Sequence, residues 1–428
     1  MSRTVPDAPV GRQLTWFLRA VADLPWSQPL IRAHFDSGFL AHISPARLNS
    51  VLAGLPAAVG ASAPSSGASL TGLLSQDPAR DPDTLVAVAA FGPVELQVSI
   101  AVDGAALISG LTLTPYQPAP ASWARVDRDL AALAPDASLL AARVSPGGGC
   151  TPVHQVAAWA ARPLASMFKL FVLGALAHQI AAGRVSWNQP LTVTAPLKSL
   201  PCGQLQNDPD GTQVPVQDTA AKMISISDNT AANMLITLVG RAAVHAQDRQ
   251  CSAHAALNVP FLTTREGFIL KLSQWPPLAN RYITANQAGR QALLASTVDR
   301  APLPALAAAQ AFTTPRNIDT IEWLASPDDI CRALAGLRQL AAQPRLAPPG
   351  PLLSANDGGI GLDPAQWPTV WFKGGSEPGV ATAGYLATNS KGQTFVVVVM
   401  LSDPAAALSP STPTRLLAMV RGAFELVR

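Results

Sequence analysis

The sequence predicts an α+β protein of two domains, because helix patterns and strand patterns occur in separate blocks instead of alternating. Its 428 residues are too many for one ordinary hydrophobic core. Helical patterns precede a strand-rich block near the N-terminus, and a second strand-rich block lies near the C-terminus. We therefore expect one domain from 1 to 118 and another from 119 to 428.

The first domain opens with apolar stripes at helical spacing, which predict helices between 12 and 54. The Asp103-Gly104 pair is typical of a tight hairpin, and the proline-punctuated segment 115–120 is the expected linker. This order of elements predicts helices on one face of a curved antiparallel sheet. The predicted strands are 68–74, 84–91, 94–102 and 106–114.

The second domain begins with a predicted helix and hairpin and ends with a three-stranded meander and a helix. Between 241 and 350 the pattern indicates helices and loops without giving their order. The predicted segments are helix 123–133, strands 138–144 and 153–159, helices 218–225 and 229–240, strands 369–374, 382–388 and 394–401, and helix 412–427.

Composition excludes several classes of protein. Hydrophobic residues make up 48% of the chain and charged residues 13%, which is too apolar for disorder. The net charge of +3 comes without a basic cluster, so no nucleic-acid partner is expected. The apolar stretch 164–182 contains Lys169 and His178, which favours a buried helix over a membrane span. The N-terminus lacks a signal-peptide pattern, so the chain as written is expected in the cytoplasm.

Cysteine and histidine spacing shows no metal site, so no metal or other cofactor is expected. The four cysteines are compatible with buried thiols or with one or two disulfides. The frequent burial of free cysteine favours thiols. The four are Cys150, Cys202, Cys251 and Cys331.

Ser166 and Lys169 carry the first chemical signal. Residues three apart share one face of a helix, so this hydroxyl and this amine can lie side by side. A serine needs a neighbouring base to become a nucleophile, and a lysine can be that base where apolar surroundings lower its pKa. Taken alone, the pair favours a simpler interpretation, a buried helix whose lysine pairs with an acid.

Two further stretches change that interpretation, an S-D-N triplet at 227–229 and the run K-G-G-S at 373–376. S-x-x-K, S-D-N and a Lys-Gly strand, in this order, are the three motifs of class A β-lactamases and penicillin-binding proteins. The second domain therefore resembles that family. The resemblance implies the β-lactamase fold, an antiparallel sheet flanked by helices plus an all-helical subdomain.

The elements before 118 resemble an NTF2-like domain, the cone of cystatin-like and steroid-isomerase-like folds. Its expected role is structural or ligand-binding. The whole chain is similar to a two-domain group that includes a protein of clavulanic acid biosynthesis and secreted lipoproteins. Because relatives are often exported, a periplasmic or extracellular location stays open beside the cytoplasmic one. The oligomeric state is not predicted.

The resemblance also implies roles for individual residues. Ser166 attacks a carbonyl and becomes acylated, while Lys169 takes or relays its proton. Ser227 passes a proton to the leaving group, helped by Lys373. The backbone N–H groups of Ser166 and Ser376 stabilise the oxyanion.

Three further residues are expected to support substrate binding or the site itself. Asn229 hydrogen-bonds a substrate amide, and Gly375, beside Ser376, lets the strand backbone approach the substrate closely. Asn233 braces the glutamate that class A enzymes carry on their Ω-loop.

Two departures from the family matter for activity. Gly374 replaces the usual threonine or serine, whose hydroxyl helps to hold the substrate carboxylate, so recognition of ordinary penicillins is expected to be weak. The Ω-loop glutamate, which activates the deacylating water, has no matching sequence context here. Glu266 is the candidate, Glu322 is another, and the alternative for Glu266 is a surface salt bridge with Arg265.

These observations predict a serine hydrolase that acts through an acyl-enzyme on Ser166. Its expected substrates are small molecules with β-lactam, related amide or ester bonds. One alternative is a D-Ala-D-Ala peptidase or transpeptidase, which uses the same motifs without the Ω-loop glutamate. Another is a ligand-binding protein with a vestigial acylation site.

Overall fold

The computed structural model describes residues 4–58, 67–75, 83–92, 94–200, 202–343, 346 and 349–428. The chain forms two compact units. The first comprises Met1–Ala119 with two later segments, Gly359–Pro368 and Pro413–Arg421. The second comprises the remaining segments, Pro120–Gly358, Thr369–Thr412 and Gly422–Arg428.

The two later segments of the first unit differ from the prediction, which places everything after 118 in the second domain. Arg421 explains part of the difference. Its buried guanidinium donates to the carbonyl of Gln117 at 3.2 Å and to that of Ile360 at 3.4 Å. A buried cation needs such acceptors, and no local sequence pattern announces them.

Before residue 119, the described part of the first unit forms four α-helices followed by a four-stranded antiparallel meander, in the order that the sequence predicts. The sheet order is β1-β2-β3-β4. Apolar side chains of α1, among them Leu14 and Phe17, are buried in the same core as Val98 and Ile100 of β3. The elements are α1 Pro9–Ala20, α2 Gln28–His34, α3 Ser37–His42, α4 Pro45–Ala58, β1 Ser69–Ser75, β2 Thr84–Phe91, β3 Val94–Val102 and β4 Ile108–Pro115.

The second unit joins a five-stranded antiparallel sheet to a group of helices. Its elements before the S-D-N triplet are α5 Trp123–Ala131, β5 Asp136–Val144, β6 Cys150–Val156, β7 Arg162–Pro163, α6 Lys169–Ala181, β8 Pro190–Thr192, β9 Gln213–Pro215 and α7 Val216–Ser225. Those after it are α8 Asn229–Val239, α9 Arg241–Cys251, α10 Thr264–Leu272, α11 Pro277–Thr284, α12 Gln287–Leu293, α13 Leu306–Gln310, β10 Leu324–Ala325, α14 Pro327–Ala341, α15 Pro349–Ser354, β11 Thr369–Glu377, β12 Val380–Thr388 and β13 Thr394–Ser402. The last helix, α16 Thr412–Val427, is divided between the units, because Pro413–Arg421 belongs to the first.

The sheet confirms the predicted pairing of two early strands with three late ones. Its order is β11-β12-β13-β5-β6, and every neighbouring pair is antiparallel. Strands β12 and β13 are buried almost throughout. This is the sheet that the β-lactamase fold requires.

The preference for four buried thiols is wrong. Cys150, the first residue of β6, forms a disulfide with Cys331 of α14. Cys202 is an exposed thiol, so only Cys251 fits the expectation. The bond joins positions separated by 181 residues, and a proximity of that kind is set by the fold rather than by cysteine spacing.

Three elements of the second unit converge on the predicted catalytic residues. These are the 3₁₀ turn Ala165–Phe168, which leads into α6, the turn before α8, and strand β11. The first half of α6 is buried on all sides, as the long apolar stretch predicts. Among the described residues, no helix has the length and apolar character needed to cross a membrane.

Candidate active site

Ser166 lies in the 3₁₀ turn Ala165–Phe168, which we call the nucleophile turn. Ala165 adopts a positive φ of 43°, a conformation that costs a residue other than glycine roughly 1–3 kcal/mol. Two buried side chains hold the turn. Thr382 of β12 donates to the carbonyl of Leu164 at 2.9 Å, and Glu322 accepts the N–H of Ala165 at 3.1 Å.

Lys169 is fully buried, and its amine reaches both predicted catalytic hydroxyls. The Nζ atom lies 3.0 Å from Ser166 Oγ and 3.0 Å from Ser227 Oγ. It also lies 2.7 Å from the Ser227 carbonyl and 2.7 Å from Asn229 Oδ1. The structure therefore brings together three residues that the motifs predicted to cooperate.

These contacts orient the amine for proton transfer. The Asn229 amide is fixed, because its Nδ2 donates to the Leu200 carbonyl at 3.1 Å and its Oδ1 must then face Lys169. A neutral amine has two N–H groups and one lone pair. The Ser227 carbonyl and Asn229 Oδ1 can only accept, so they take both N–H groups. The lone pair remains for a hydroxyl proton from Ser166 or Ser227.

Electrostatics favour that neutral amine. Burial lowers the pKa of Lys169 well below its ordinary value, and the positive charge of Lys373 lowers it further. Burial also lowers the pKa of Lys373, to about 8. A base must be deprotonated to accept a proton, so the lowered pKa of Lys169 favours its predicted role.

Ser227 links the two lysines. Its Oγ lies 3.0 Å from Lys169 Nζ and 3.0 Å from Lys373 Nζ, while Lys373 also donates to the Gly374 carbonyl at 2.8 Å. Its backbone has a positive φ of 58°, another conformation that is costly for this residue type. The hydroxyl therefore lies between two buried amines, where a proton can pass in either direction.

Strand β11 contacts the nucleophile turn at Gly375. A Cβ atom at this position would lie 2.4 Å from the Leu164 carbonyl oxygen and 2.5 Å from Ser166 N. Only glycine permits this approach. Ser376, the next residue, lines the same cleft as Ser166, as its predicted role in the oxyanion hole requires.

Gly374 has no space for the family's usual hydroxyl residue. A Cβ atom there would lie 2.8 Å from the ring of Phe372 and 3.2 Å from the Thr382 carbonyl oxygen. Phe372 in turn packs against Tyr385 in a tilted arrangement, with ring centroids 4.7 Å apart. A serine or threonine at position 374 would therefore require this aromatic pair to move.

The structure places Glu266 away from the cleft, contrary to its predicted catalytic position. Its carboxylate is buried and pairs with Arg241 at 2.7 and 3.0 Å. It also accepts the N–H of Thr263 at 2.6 Å and so completes the capping box of α10. The alternative salt bridge is also wrong, because the partner is Arg241 and not Arg265.

Asn233 contacts Thr264 rather than a glutamate. Its Oδ1 accepts both the N–H of Thr264 at 2.9 Å and its hydroxyl at 2.8 Å. Thr264 also lines the cleft with Ser166. Asn233 thus braces the chain here, but the braced residue has no carboxylate with which to activate water.

Sequence reasoning missed a cluster of buried charges on the cleft wall. Lys271 of α10 contacts both oxygens of Glu377, at 2.6 and 2.8 Å, and lies 3.4 Å from Glu322 Oε1. The motifs gave no reason to connect these three residues, although a lysine inside the apolar run F-I-L-K-L at 268–272 was a usable signal. We call this group the charge cluster.

The cleft itself has a volume of about 230 Å³. Its polar lining comes from the catalytic motifs and from the charge cluster, and aromatic and aliphatic side chains supply the rest. The lining residues are Ala165, Ser166, Phe168, Cys202, Asn229, Leu262, Thr264, Gly267, Phe268, Lys271, Ala309, Phe312, Ile321, Glu322, Trp323, Ser376, Glu377 and Pro378. Among the described residues, no three His, Cys, Asp or Glu side chains form a group that could hold a metal.

Comparison with known families agrees with this geometry. A family model described as "Beta-lactamase enzyme family" matches residues 153–418. The chain belongs to the β-lactamase enzyme family. A second model, described as "ORF 12 gene product N-terminal", matches residues 5–66 and is compatible with an additional N-terminal domain in this family member. The NTF2-like identity of that domain stays a prediction.

Several solved structures are similar to this β-lactamase family member. A β-lactamase from Sphaerobacter thermophilus is 21% identical, with a TM-score of 0.47, and the match covers 71% of this chain and 96% of that one. PBP-A is 21% identical, with a TM-score of 0.47 and coverage of 74% and 100%. A β-lactamase from Chitinophaga pinensis is 17% identical, with a TM-score of 0.49 and coverage of 71% and 98%. No curated protein matches the chain.

Proposed function

We propose that the protein is a serine hydrolase that cleaves β-lactam or related amide and ester bonds through an acyl-enzyme on Ser166. The observation that carries the proposal is the contact of Lys169 Nζ with Ser166 Oγ at 3.0 Å. Two acceptors occupy the N–H groups of this amine, so its lone pair faces the hydroxyl that must lose a proton.

The acylation step follows from these contacts. The Ser166 proton moves to Lys169 as Oγ attacks the substrate carbonyl, whose oxygen becomes an anion. The N–H groups of Ser166 and Ser376 stabilise that oxyanion. Lys169 then passes the proton to Ser227, 3.0 Å away, and Ser227 delivers its own proton to the leaving nitrogen or oxygen. Lys373 supports Ser227 from the other side.

Deacylation is the slow half of the proposed reaction. The residue that Asn233 braces is Thr264, which cannot act as a general base for water at neutral pH. The acyl group should therefore remain on Ser166 long enough to be detected. A second candidate function is D-Ala-D-Ala peptidase or transpeptidase activity, and the same observation favours its transpeptidase form, in which an amine rather than water accepts the acyl group.

Intact-mass spectrometry tests the proposal. The protein is incubated with a penicillin, a cephalosporin and a p-nitrophenyl ester, alongside Ser166→Ala and a control, Ser186→Ala, at an exposed serine outside the cleft. An adduct or product that is lost only in Ser166→Ala supports the proposed nucleophile. A D-Ala-D-Ala peptide with an added amine acceptor then separates hydrolase from transpeptidase. Absence of both adduct and product with every probe would refute acyl-enzyme chemistry.

A further inference from the structure

The charge cluster contacts both backbone segments that supply the proposed oxyanion donors. Glu322 Oε2 accepts the N–H of Ala165, the residue before Ser166. Glu377, which Lys271 holds through both carboxylate oxygens, is the residue after Ser376. Lys271 Nζ lies between the two carboxylates, 3.4 Å from Glu322 Oε1. A chain of charged contacts thus connects the nucleophile turn to the end of β11.

Local strand pairing explains why Glu322 reaches the turn. Strands β7 and β10 pair through Pro163 and Leu324, and the Leu164 N–H donates to the Trp323 carbonyl at 2.8 Å. Continuing that register brings Glu322 opposite Ala165. Glu322 Oε2 also accepts its neighbour's N–H, from Trp323 at 3.1 Å, which fixes the carboxylate in place.

Burying the three side chains of the charge cluster costs free energy unless each charged group has a partner. The side chains of Lys271 and Glu322 are 4% and 5% exposed. Burial raises the pKa of Glu322, and the nearby carboxylate of Glu377 raises it further. Burial lowers the pKa of Lys271, but Glu377 and Glu322 outweigh that effect and leave it above its ordinary value. The strong ion pair is therefore Lys271 with Glu377, and Glu322 mainly accepts the backbone N–H groups of Ala165 and Trp323.

We propose that Glu322, Lys271 and Glu377 are positioning residues that hold the Ser166 and Ser376 N–H groups at the spacing an oxyanion requires. The inference rests on the proposed acyl-enzyme function. The positive φ of Ala165 gives the cluster a specific task, since a strained turn relaxes unless its N–H is held. Stabilisation by an oxyanion hole depends on such preorganisation.

Pre-steady-state kinetics with a p-nitrophenyl ester tests the proposal in the full chain. The acylation rate constant and the substrate dissociation constant are measured per active site, from the burst amplitude. Phenylboronic acid supplies a second readout, because its boron accepts the electron pair of Ser166 Oγ and forms a tetrahedral anion in the oxyanion hole. A 1 Å misplacement of catalytic groups costs roughly 10²-fold in rate.

Glu322→Leu and Lys271→Met should acylate roughly 10²-fold more slowly, with an unchanged substrate dissociation constant. Their affinity for phenylboronic acid should fall by the same factor. Glu322→Gln keeps an oxygen that can accept the Ala165 N–H, so it should recover most of the rate. The matched control is Arg241→Gln, which removes the partner of another buried carboxylate, Glu266, and should lower stability without changing acylation per active site.

Acylation and boronic acid binding at wild-type level in the folded Glu322→Leu and Lys271→Met proteins would overturn the proposal. If neither protein folds, Glu377→Gln decides, because it removes the charge and one of the two oxygens that hold Lys271, at a side chain that is 14% exposed. A slower acylation rate with unchanged substrate binding supports positioning, and a wild-type rate overturns it. If the wild-type protein forms no adduct at Ser166, the proposed function fails first and the positioning role falls with it.

Discussion

The substitution Gly375→Ala directly tests the contact between strand β11 and the nucleophile turn. The new methyl group would lie 2.4 Å from the Leu164 carbonyl oxygen and 2.5 Å from Ser166 N. Ordinary contacts begin near 3.4 Å, so strand β11 and the nucleophile turn would have to separate by about 1 Å. Both neighbouring atoms belong to the backbone, and neither can move by a simple side-chain rotation.

The expected effect is on catalysis more than on folding. Overpacking of this kind costs about 1–3 kcal/mol of stability. Losing one oxyanion donor costs roughly 10²–10³-fold in rate, or about 2.7–4 kcal/mol. Because the collision includes Ser166 N itself, acylation of Gly375→Ala should fall by that factor. The assay is the acylation rate constant with a p-nitrophenyl ester, normalised to the folded fraction.

The matched control is Gly336→Ala in α14, where a Cβ atom meets nothing within 4 Å. That variant should keep the wild-type rate and gain up to about 1 kcal/mol from its better helix propensity. A folded Gly375→Ala protein that acylates as fast as the wild type would refute the reasoning. It would mean that the turn and strand tolerate separation, so that their contact does not set the oxyanion geometry.

Three further predictions concern the base, the disulfide and the displaced glutamate. Lys169→Met should slow acylation by about 10²–10⁴-fold. Acylation by the wild type should become faster as pH rises and Lys169 loses its proton, because only the neutral amine accepts a proton. A flat pH–rate profile would contradict this. Replacing both Cys150 and Cys331 by serine should lower the free energy of unfolding by about 2–4 kcal/mol in urea, whereas reduction should have no such effect on the double variant. Glu266→Gln should lower stability by weakening its pair with Arg241, yet leave the lifetime of the acyl-enzyme unchanged; a longer lifetime would restore Glu266 as the deacylation base.

The residues proposed to acylate could be named from the sequence because each lies in a short motif, and the resemblance to a known family relates the three motifs to one another. Ser166 and Lys169 meet through helix geometry, and the S-D-N turn places Ser227 against the same amine. Lys373 comes from the edge strand β11, which the sequence predicts as 369–374. Only the first of these contacts lies within one motif, whereas Ser227 is 58 positions from Lys169 and 146 from Lys373, so those two contacts depend on the fold.

The same approach failed for Glu266, although the sequence held a signal of its true role. Thr263 and Glu266 form a T-x-x-E pattern, which is the signature of a helix capping box. Position along the chain suggested catalysis, whereas local chemistry predicted a cap, and the local chemistry was right. Arg241, which completes the burial of this carboxylate, lies 25 positions away and has no motif to announce it.

The charge cluster could not be predicted from the sequence. Lys271 and Glu377 are separated by 106 positions, and Glu322 reaches Ala165 across 157. Their meeting depends on the pairing of two-residue strands and on where α10 packs, neither of which has a strong pattern. Long-range contacts between charged groups can be recognised only once the fold is known.

Ser227 shows why two lysines serve one nucleophile. When Ser166 attacks, its proton charges Lys169, whose pKa burial and Lys373 have already lowered. A charged Lys169 beside Lys373 is unfavourable in a buried site, so the new ammonium is under electrostatic pressure to lose that proton. Among the described contacts, the hydroxyl of Ser227 is the only one within 3.0 Å of both amines. The repulsion from Lys373 therefore has two effects. It keeps Lys169 neutral and able to accept the Ser166 proton, and it favours transfer of that proton through Ser227 to the leaving group.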